Sequence, residues 1–352
     1  MKTEENTPLR PETPRMIYVD CLRIIAAFLV IVNHTNSRIF LDGIPSLTWY
    51  VSLSYFFVCK VAVPIFFMIM GATLLGKTDP PVKWGTRMLR ILCVGLAFSL
   101  LYYLYYRRND MASVNFVEFL EMVFTAQTSR ALWYLYAYLG LLLGLPVFQK
   151  MARSFTRTEF QILLLLSLVI LGTYPLIGIF TSQWFDVRFP TVMVSPYVGM
   201  IFAGYYLERY VQVDRRQFFF ALGGFVLFIT LQVIGTRYLY LQNPEDYLAL
   251  DNRTLIPITG SAACLFLMAK YLCSVIRIPS WLNRRIVYLG GLTFGIYLFS
   301  DMVIDATLPV YLEMTESIHR FPSVVIWELA IFAAGILLTA LLRQIPWVRK
   351  WI

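Results

Sequence analysis

Charged residues are scarce in this sequence, and their scarcity argues against a soluble globular protein. Of its 352 residues only 14% are charged, whereas 59% are hydrophobic. A soluble domain typically carries about 25% charged residues. The apolar residues cluster in runs of about 20, the length of helix that crosses the ~30 Å hydrocarbon core of a bilayer. The composition therefore predicts an all-α protein that crosses a lipid bilayer several times.

The sequence also has little from which a metal site or a disulfide framework is built. It contains two histidines, His34 and His319, and five cysteines. The cysteines lie inside apolar runs and show none of the CxxC or Cys/His spacings that bind zinc. We interpret them as small hydrophobic side chains, and the sequence predicts no bound metal ion.

The distribution of basic residues argues against a nucleic-acid partner, although the net charge is +9. No basic cluster with interleaved aromatic residues occurs on a polar segment. Lysine and arginine are instead concentrated in alternate short loops between the apolar runs. By the positive-inside rule these loops, together with both chain termini, are predicted to face the cytoplasm.

The apolar runs predict about ten membrane spans. Residues 1–16 are predicted to form a cytoplasmic segment, 17–346 the membrane domain and 347–352 a cytoplasmic tail. The segment 112–127 is too short and too acidic to span, and it is expected to lie at the interface as an amphipathic helix. The predicted spans are 17–40, 49–76, 88–106, 130–148, 160–180, 190–210, 217–237, 255–276, 287–310 and 323–345.

Two ionisable residues of the first span share one helix face. Arg23 and His34 are eleven residues apart, which at 100° per residue is three turns plus 20°. Their separation along the axis is about 16 Å, so Arg23 lies in the inner third and His34 in the outer half. Asp20 precedes Arg23 by three residues and is placed to pair with it. The alternatives are that Arg23 extends to the inner headgroups and that His34 is a neutral hydrogen-bonding group between helices.

Further intramembrane charges are predicted at the depth of His34 or deeper. Asp301 and Asp305 share a face of span 9, and Glu328 lies in span 10. A carboxylate beside His34 would orient the imidazole and raise its basicity, although Asp305 and Glu328 are also explained as carboxylates solvated by headgroup water. Lys60 is close to the middle of span 2, where a functional or ion-paired role is expected.

Five segments occur in the order typical of a known family. They are Tyr18-x-Asp20-x-x-Arg23 with His34, VPIFFMIMG from Val63 to Gly71, Arg87-x-x-Arg90, LWYLY from Leu132 to Tyr136, and FGIYL from Phe294 to Leu298. This pattern resembles the bacterial membrane acyltransferase-3 family, whose hallmark is an arginine, ten residues and a histidine in the first span. The similarity extends over nearly the whole chain.

The resemblance implies transfer of an acyl group, acetyl or another short acyl group, from cytoplasmic acyl-CoA, with acetyl-CoA as the expected donor. The implied acceptor is a hydroxyl of a surface or lipid-linked carbohydrate outside the bacterial cytoplasmic membrane. Arg23 and His34 would be the family's arginine and histidine. With Asp301 and Asp305 they form our predicted catalytic set, in which His34 takes the hydroxyl proton.

The remaining predicted site residues bind the two substrates. Basic side chains near the inner face are expected to bind the phosphates of acyl-CoA. The aromatic cluster at the outer end of span 4 is expected to stack on sugar rings, unless it is an ordinary interfacial aromatic belt. The predicted donor-binding residues are Arg23, Lys60, Arg87 and Arg90, and the predicted acceptor-binding residues are Trp133, Tyr134, Tyr136 and Glu328.

Three positions depart from the family pattern. Ala131 and Ser300 stand where the family often has histidine, and Met70 stands where it often has serine. A mechanism that needs a second membrane histidine is therefore excluded, and Asp301 is the candidate replacement next to Ser300. Two other hypotheses fit intramembrane charges: a transporter or flippase of lipid-linked sugars, and an inactive relative that acts as a sensor or scaffold.

Overall fold

The structure is a computed structural model that describes residues 15–35, 44–125, 127–181, 195–244, 248–252 and 254–352. Every regular element in these ranges is helical, which confirms the predicted all-α class for this part of the chain. The α-helices are α1 (Ile17–Thr35), α2 (Leu47–Cys59), α3 (Ala62–Met70), α4 (Pro81–Tyr106), α5 (Phe116–Phe124), α6 (Trp133–Ser154), α7 (Arg157–Ser167), α8 (Tyr174–Thr181), α9 (Pro196–Tyr210), α10 (Arg215–Gln242), α11 (Ile256–Val275), α12 (Ser280–Ser317) and α13 (Arg320–Leu342).

Nine helices within the described ranges are long and apolar enough to cross a membrane. Two of them are composite, because π-helical turns extend α3 and join α7 to α8. The nine correspond to nine of the predicted spans. The predicted span 190–210 begins outside the described residues, and its remainder is α9, which has 15 residues. The total of ten spans stays a prediction.

The helices begin where the sequence offers hydrogen-bond acceptors for free backbone N–H groups. The Thr156 side chain accepts from the Glu159 amide at α7, and the Asp214 side chain accepts from the Gln217 amide at α10. Both starts are complete capping boxes, because the third residue of each helix also bonds back to the cap. Helices α4, α9 and α11 instead begin with proline in the first turn, where its missing N–H costs nothing.

The second span is broken between α2 and α3, beside Lys60. Pro64 has no N–H to donate to the Lys60 carbonyl four residues earlier, so the helical ladder is interrupted there. The Lys60 amide bonds to the Phe57 carbonyl at 3.2 Å, which closes the last turn of α2 more tightly than an α-helix does. A proline visible in the sequence thus accounts for the break in the helix beside Lys60.

Two glycines allow α9 to touch the second span. A Cβ atom at Gly71 would overlap the Ile201 carbonyl oxygen, and one at Gly204 would overlap the Met68 carbonyl oxygen. Only glycine permits so close an approach of two backbones, as in other small-residue contacts between membrane helices. Ile201 and Phe202 are fully buried as a result. Helix α9 therefore lies inside the bundle, not on its surface.

Both ends of the described chain lie beside the first turns of α12. Arg15 donates to the Val287 carbonyl at 3.4 Å, and the guanidinium of Arg343 lies against Gly291. A chain that starts and finishes at the same end of a bundle crosses it an even number of times. This arrangement favours α9 as the tenth crossing. We name this end the terminal end, and which membrane face it occupies stays a prediction.

Helix α5 forms within the segment 112–127, as predicted for a short helix between spans. The Tyr103 hydroxyl donates to the Asn115 carbonyl at 3.0 Å, which ties the start of α5 to the end of α4. Phe116, Val117 and Phe124 are exposed on the surface of the protein. Its position at the membrane interface stays a prediction.

The orientation can be measured with accessibility tags. Tags at the two termini are expected to report the cytoplasm, and tags in loops 107–129 and 238–254 are expected to report the outside. The physical reason is the excess of Lys and Arg in the loops on the terminal side. A terminal tag found outside would reverse the assignment of the donor and acceptor faces.

Candidate active site

A cavity of about 680 Å³ lies between α1, the second span, α4, α6 and α12. Its described wall carries a set of ionisable side chains from five separate parts of the chain. They are Arg23, His34, Lys60, Arg87, Arg90, Arg130 and Asp251. Seven of the predicted site residues therefore line one cavity, since Trp133 and Tyr134 join Arg23, His34, Lys60, Arg87 and Arg90 there.

Helix α1 supplies the stripe formed by Arg23 and His34, and both side chains line the cavity. The Arg23 guanidinium donates to the Asp20 carboxylate at 3.2 Å, which confirms the predicted pair. Arg15 donates to the same carboxylate at 2.7 Å. Asp20 is buried, and Gly290 of α12 makes room for it, since a Cβ there would lie 2.8 Å from the carboxylate. Arg23 is thus held by a buried carboxylate behind the wall.

Lys60 projects into the same cavity from the break between α2 and α3. Its ammonium lies 2.5 Å from a carboxylate oxygen of Asp251 and 3.9 Å from the centre of the Phe56 ring. An ion pair and an aromatic face both stabilise a lysine that is largely removed from water. The ion pair expected for Lys60 is confirmed, and a functional role for Lys60 stays a prediction.

Sequence reasoning missed Asp251, the partner of Lys60. It lies on a short 3₁₀ turn, Leu248–Asp251, between α10 and α11. An acidic residue in a loop between spans looks like an ordinary solvated charge. Only the fold of the loop back over the cavity gives it a contact with the middle of the second span.

Arg87 is fixed by a buried carboxylate at the terminal end of the cavity. Asp79 accepts from Arg87 at 2.5 Å, from Lys83 at 3.1 Å and from Gln149 at 3.1 Å, and only 2% of its side chain is exposed. Burial alone would raise the pKa of Asp79, but the hydrogen bonds from Arg87, Gln149 and Lys83 lower that pKa to about 2. Asp79 therefore remains ionised and holds Arg87 against the cavity.

Positive charge is concentrated around this end. The Arg90 guanidinium donates to the Trp351 carbonyl at 2.9 Å and lies 6.0 Å from the Phe294 ring. Burial lowers the pKa of Lys77, and the neighbouring positive charge of Arg87 lowers it further. Together with Arg23, these side chains form a basic surface that suits an anion with several negative charges.

All five segments of the family pattern contribute residues to the wall of this cavity, among them the Arg23–His34 pair and Arg87-x-x-Arg90. A family model described as an acyltransferase domain matches residues 16–347. The chain belongs to the acyltransferase-3 family. With its long apolar helices, this makes it a membrane-embedded O-acyltransferase in general terms. Comparison with curated proteins gives no match, and comparison with solved structures gives none either.

Two of the three predicted sugar-stacking residues of the acyltransferase line the cavity. Trp133 and Tyr134 face it, whereas the Tyr136 hydroxyl turns away and donates to the Val123 carbonyl at 2.6 Å. Tyr138 and Tyr297 also line the wall and were not predicted as site residues. Aromatic side chains on a membrane helix are too common for sequence alone to separate these from lipid-facing rings.

The three predicted carboxylates lie outside the described cavity wall. Asp301 accepts from the Ser129 hydroxyl at 2.7 Å, and Asp305 accepts from the Tyr105 hydroxyl at 3.0 Å. Asp301 shares a helix face with the cavity-lining Phe294, but the segment that carries Ser129 packs against α12 here, and the Tyr297 hydroxyl donates to the Ala131 carbonyl at 2.5 Å. The structure therefore does not bring the span-9 aspartates into the cavity with His34.

Glu328 is fully buried at the end of α1 and not in the cavity wall. It accepts a hydrogen bond from the Thr35 hydroxyl at 2.5 Å and another from the Tyr55 hydroxyl at 2.7 Å. Thr35 directly follows His34 in the chain. Glu328 thus fastens the end of α1 that carries His34, while its predicted contact with the acceptor stays a prediction.

Replacing Asp79 with asparagine is expected to destabilise the acyltransferase by about 2 kcal/mol at pH 7, the scale of a hydrogen bond to a charged group. Because the pKa of Asp79 lies below its ordinary value of 3.8, its contribution is complete above that value and is lost as the pH falls through about 2. Thermal unfolding in detergent should show a gap between wild type and Asp79→Asn that is constant from pH 7 to pH 5 and closes near pH 2.

The matched control is Asp214→Asn, at the exposed start of α10, since asparagine caps a helix about as well as aspartate. This variant should melt with the wild type across the same range. A gap for Asp79→Asn that widens toward acid pH would contradict the assignment of an ionised, hydrogen-bonded Asp79.

Proposed function

We propose that this acyltransferase moves an acetyl group from cytoplasmic acetyl-CoA to a hydroxyl of an extracytoplasmic carbohydrate. The observation that carries the proposal is the two-ended cavity. One continuous space has a basic surface at the terminal end and His34 toward the opposite end. A polyanionic donor and a hydroxyl acceptor need such chemically different ends, joined by a passage for the acyl group.

The donor end suits coenzyme A. Its phosphates carry several negative charges, and guanidinium groups bind phosphate oxygens with paired N–H donors. Arg87 is held by Asp79 and Arg23 by Asp20, so both guanidinium groups are fixed before a ligand arrives. The rise of about 16 Å from Arg23 to His34 is of the right order for the pantetheine arm to reach the reacting carbon near His34.

His34 is the proposed general base. The acceptor hydroxyl oxygen forms a bond to the thioester carbonyl carbon while its proton passes to the imidazole. The tetrahedral intermediate then collapses, the carbon–sulfur bond breaks, and the imidazolium returns the proton to the departing CoA thiolate. Lys60 brings a positive charge into the same space, where it can oppose the negative charge that develops during the reaction.

The acceptor is proposed to be a surface or lipid-linked polysaccharide of the bacterial cell envelope, reached from the cytoplasmic membrane. Trp133 and Tyr134 line the cavity and offer aromatic faces to a sugar ring. The five sequence segments also resemble the enterobacterial common antigen O-acetyltransferase, and we propose an activity of that kind for this chain. That resemblance supports acetyl as the transferred group and a carbohydrate as its acceptor.

Two experiments test the proposal. Purified protein should bind acetyl-CoA in calorimetry, a result that a transporter of lipid-linked sugars does not predict. Surface glycans of a deletion strain should lack an acetyl group, which mass spectrometry detects as a loss of about 42 Da for each missing group. Restoration by the wild-type gene but not by a His34→Gln gene is expected. Unchanged glycans together with no acetyl-CoA binding would contradict the proposal.

A further inference from the structure

Positive side chains outnumber carboxylates along the cavity wall, and the two ends of the cavity differ in where the carboxylates lie. Among the described wall residues the cations are Arg23, Lys60, Arg87, Arg90 and Arg130, and the only carboxylate is Asp251. At the terminal end the counter-charges Asp20 and Asp79 are buried behind the wall. Near His34, by contrast, the counter-charge itself faces the cavity.

Arg130 adds a further positive charge at the His34 end of the cavity. It precedes α6, lines the cavity and is exposed, and within the described residues it makes no hydrogen bond and no ion pair. A guanidinium that faces a cavity without a protein acceptor retains its full capacity to bind a planar oxyanion. The opposite end of the cavity thus holds one cation without a carboxylate and one cation with a carboxylate that is itself accessible.

We propose that the His34 end of the cavity binds an oxyanion carried by the acceptor, either a carboxylate or a phosphate. Lys60 and Arg130 are its ligands, and Asp251 is the counter-ion of Lys60 until the acceptor enters. The acceptor class is therefore an acidic carbohydrate, such as a uronic acid or a sugar phosphate. This inference rests on the proposed function and narrows its substrate.

The exposure of the ion pair supports an exchange of partners. The Lys60 side chain is 11% exposed, whereas that of Asp251 is 34% exposed. The lysine is thus fixed in the wall, and the carboxylate can move toward water without burying a new charge. Because an incoming oxyanion replaces Asp251, Lys60 keeps a counter-charge throughout, which avoids the large cost of an isolated buried ammonium.

A neutral sugar cannot replace Asp251 as the counter-charge of Lys60. It leaves the Lys60–Asp251 pair in place and offers Arg130 only neutral hydroxyl acceptors. An oxyanion adds the Coulomb attraction between opposite charges, which a neutral hydroxyl lacks. The protein is therefore expected to bind the charged acceptor about tenfold or more tightly than the neutral one. Lys60 and Arg130 should increase this preference, and Asp251 should decrease it.

The test compares three small probes on the purified full-length protein: methyl glucoside, methyl glucuronide and glucose 1-phosphate. Each dissociation constant is measured by calorimetry in the same buffer with the same detergent. The two charged probes should bind at least about tenfold more tightly than the glucoside. Tighter binding of the glucuronide would identify a carboxylate ligand, and tighter binding of the phosphate would identify a phosphate ligand.

Variants then assign the preference to these side chains. Arg130→Gln should reduce the charged-to-neutral ratio several-fold, and it should fold normally because Arg130 is exposed and has no described partner. Asp251→Asn should raise the ratio, since Lys60 loses its competing counter-ion. The ratio is measured within each variant, so a general loss of folded protein does not change it. Arg237→Gln removes a cation outside the cavity wall and should leave the ratio unchanged.

A wild-type ratio near one, no detectable binding of either charged probe, or an unchanged ratio in Arg130→Gln would overturn the inference. A lower ratio in Asp251→Asn would also overturn it, because it would make Asp251 a part of the binding site. None of these results removes the proposed function, which is judged separately by acetyl-CoA binding and by glycan acetylation. Equal transfer to neutral and acidic glycans would leave the acyltransferase intact and the charge preference wrong.

Discussion

Acyl transfer should fall by about 10²–10⁴-fold when His34 is replaced by glutamine, the range over which a general base contributes. Glutamine can keep one hydrogen bond of the imidazole but cannot accept a proton near neutral pH. His34 lines the cavity in the last turn of α1, so the substitution changes the cavity wall without opening the hydrophobic core. Donor binding and thermal stability should stay close to those of the wild type.

The chain supplies a matched control for this substitution. His319 is the other histidine, and its ring accepts a hydrogen bond from the Phe321 amide at the exposed start of α13. His319→Gln should retain normal transfer, because His319 caps α13 and lies outside the described cavity wall. Near-normal transfer by His34→Gln would reject the base assignment. A large loss of stability with retained transfer per folded molecule would make His34 a structural hydrogen-bonding group.

Removing both arginines of Arg87-x-x-Arg90 should weaken acetyl-CoA binding by about 100-fold or more. Each guanidinium is expected to make charge-assisted hydrogen bonds to phosphate, worth about 1.5–3 kcal/mol apiece. The measurement is a calorimetric titration of acetyl-CoA into Arg87→Ala/Arg90→Ala protein, with a melting curve to establish the folded fraction. The curve is needed because loss of Arg87 leaves Asp79 with fewer donors.

The matched control removes two other cations from the same end of the bundle. Arg284 and Arg285 are exposed at the start of α12 and lie outside the cavity wall. Arg284→Ala/Arg285→Ala should bind acetyl-CoA as the wild type does. Equal affinity in both double variants would mean that Arg87 and Arg90 set only the membrane topology.

The parts of the site that could be predicted are those determined within one helix. The face shared by Arg23 and His34 follows from the helical repeat, and the pair of Asp20 with Arg23 follows from a three-residue spacing. The unusual depth of Lys60 follows from its position inside an apolar run. Hydropathy likewise located the nine long helices, because each must be apolar over its own length.

The parts that could not be predicted depend on contacts between distant segments. Asp251 and Arg130 are loop residues, and a loop charge shows in sequence no sign that it will fold over a cavity. The sequence indicates that Asp301 lies at the depth of His34 in the membrane. It does not indicate that Ser129 packs against α12 and donates a hydrogen bond to Asp301. The approach of Gly71 to Ile201 is similar, since a glycine in a span shows that a close contact is possible but not which helix makes it.

The two-ended cavity is tested most directly by the sidedness of transfer in proteoliposomes. Protein of known orientation is supplied with radiolabelled acetyl-CoA on the side that carries Arg87, and an acidic glycan acceptor is placed on the opposite side. Label should appear on the acceptor across the membrane, and it should be absent with His34→Gln protein. Label that reaches only an acceptor on the donor's own side, or transfer that survives His34→Gln, would contradict a cavity that joins the two faces.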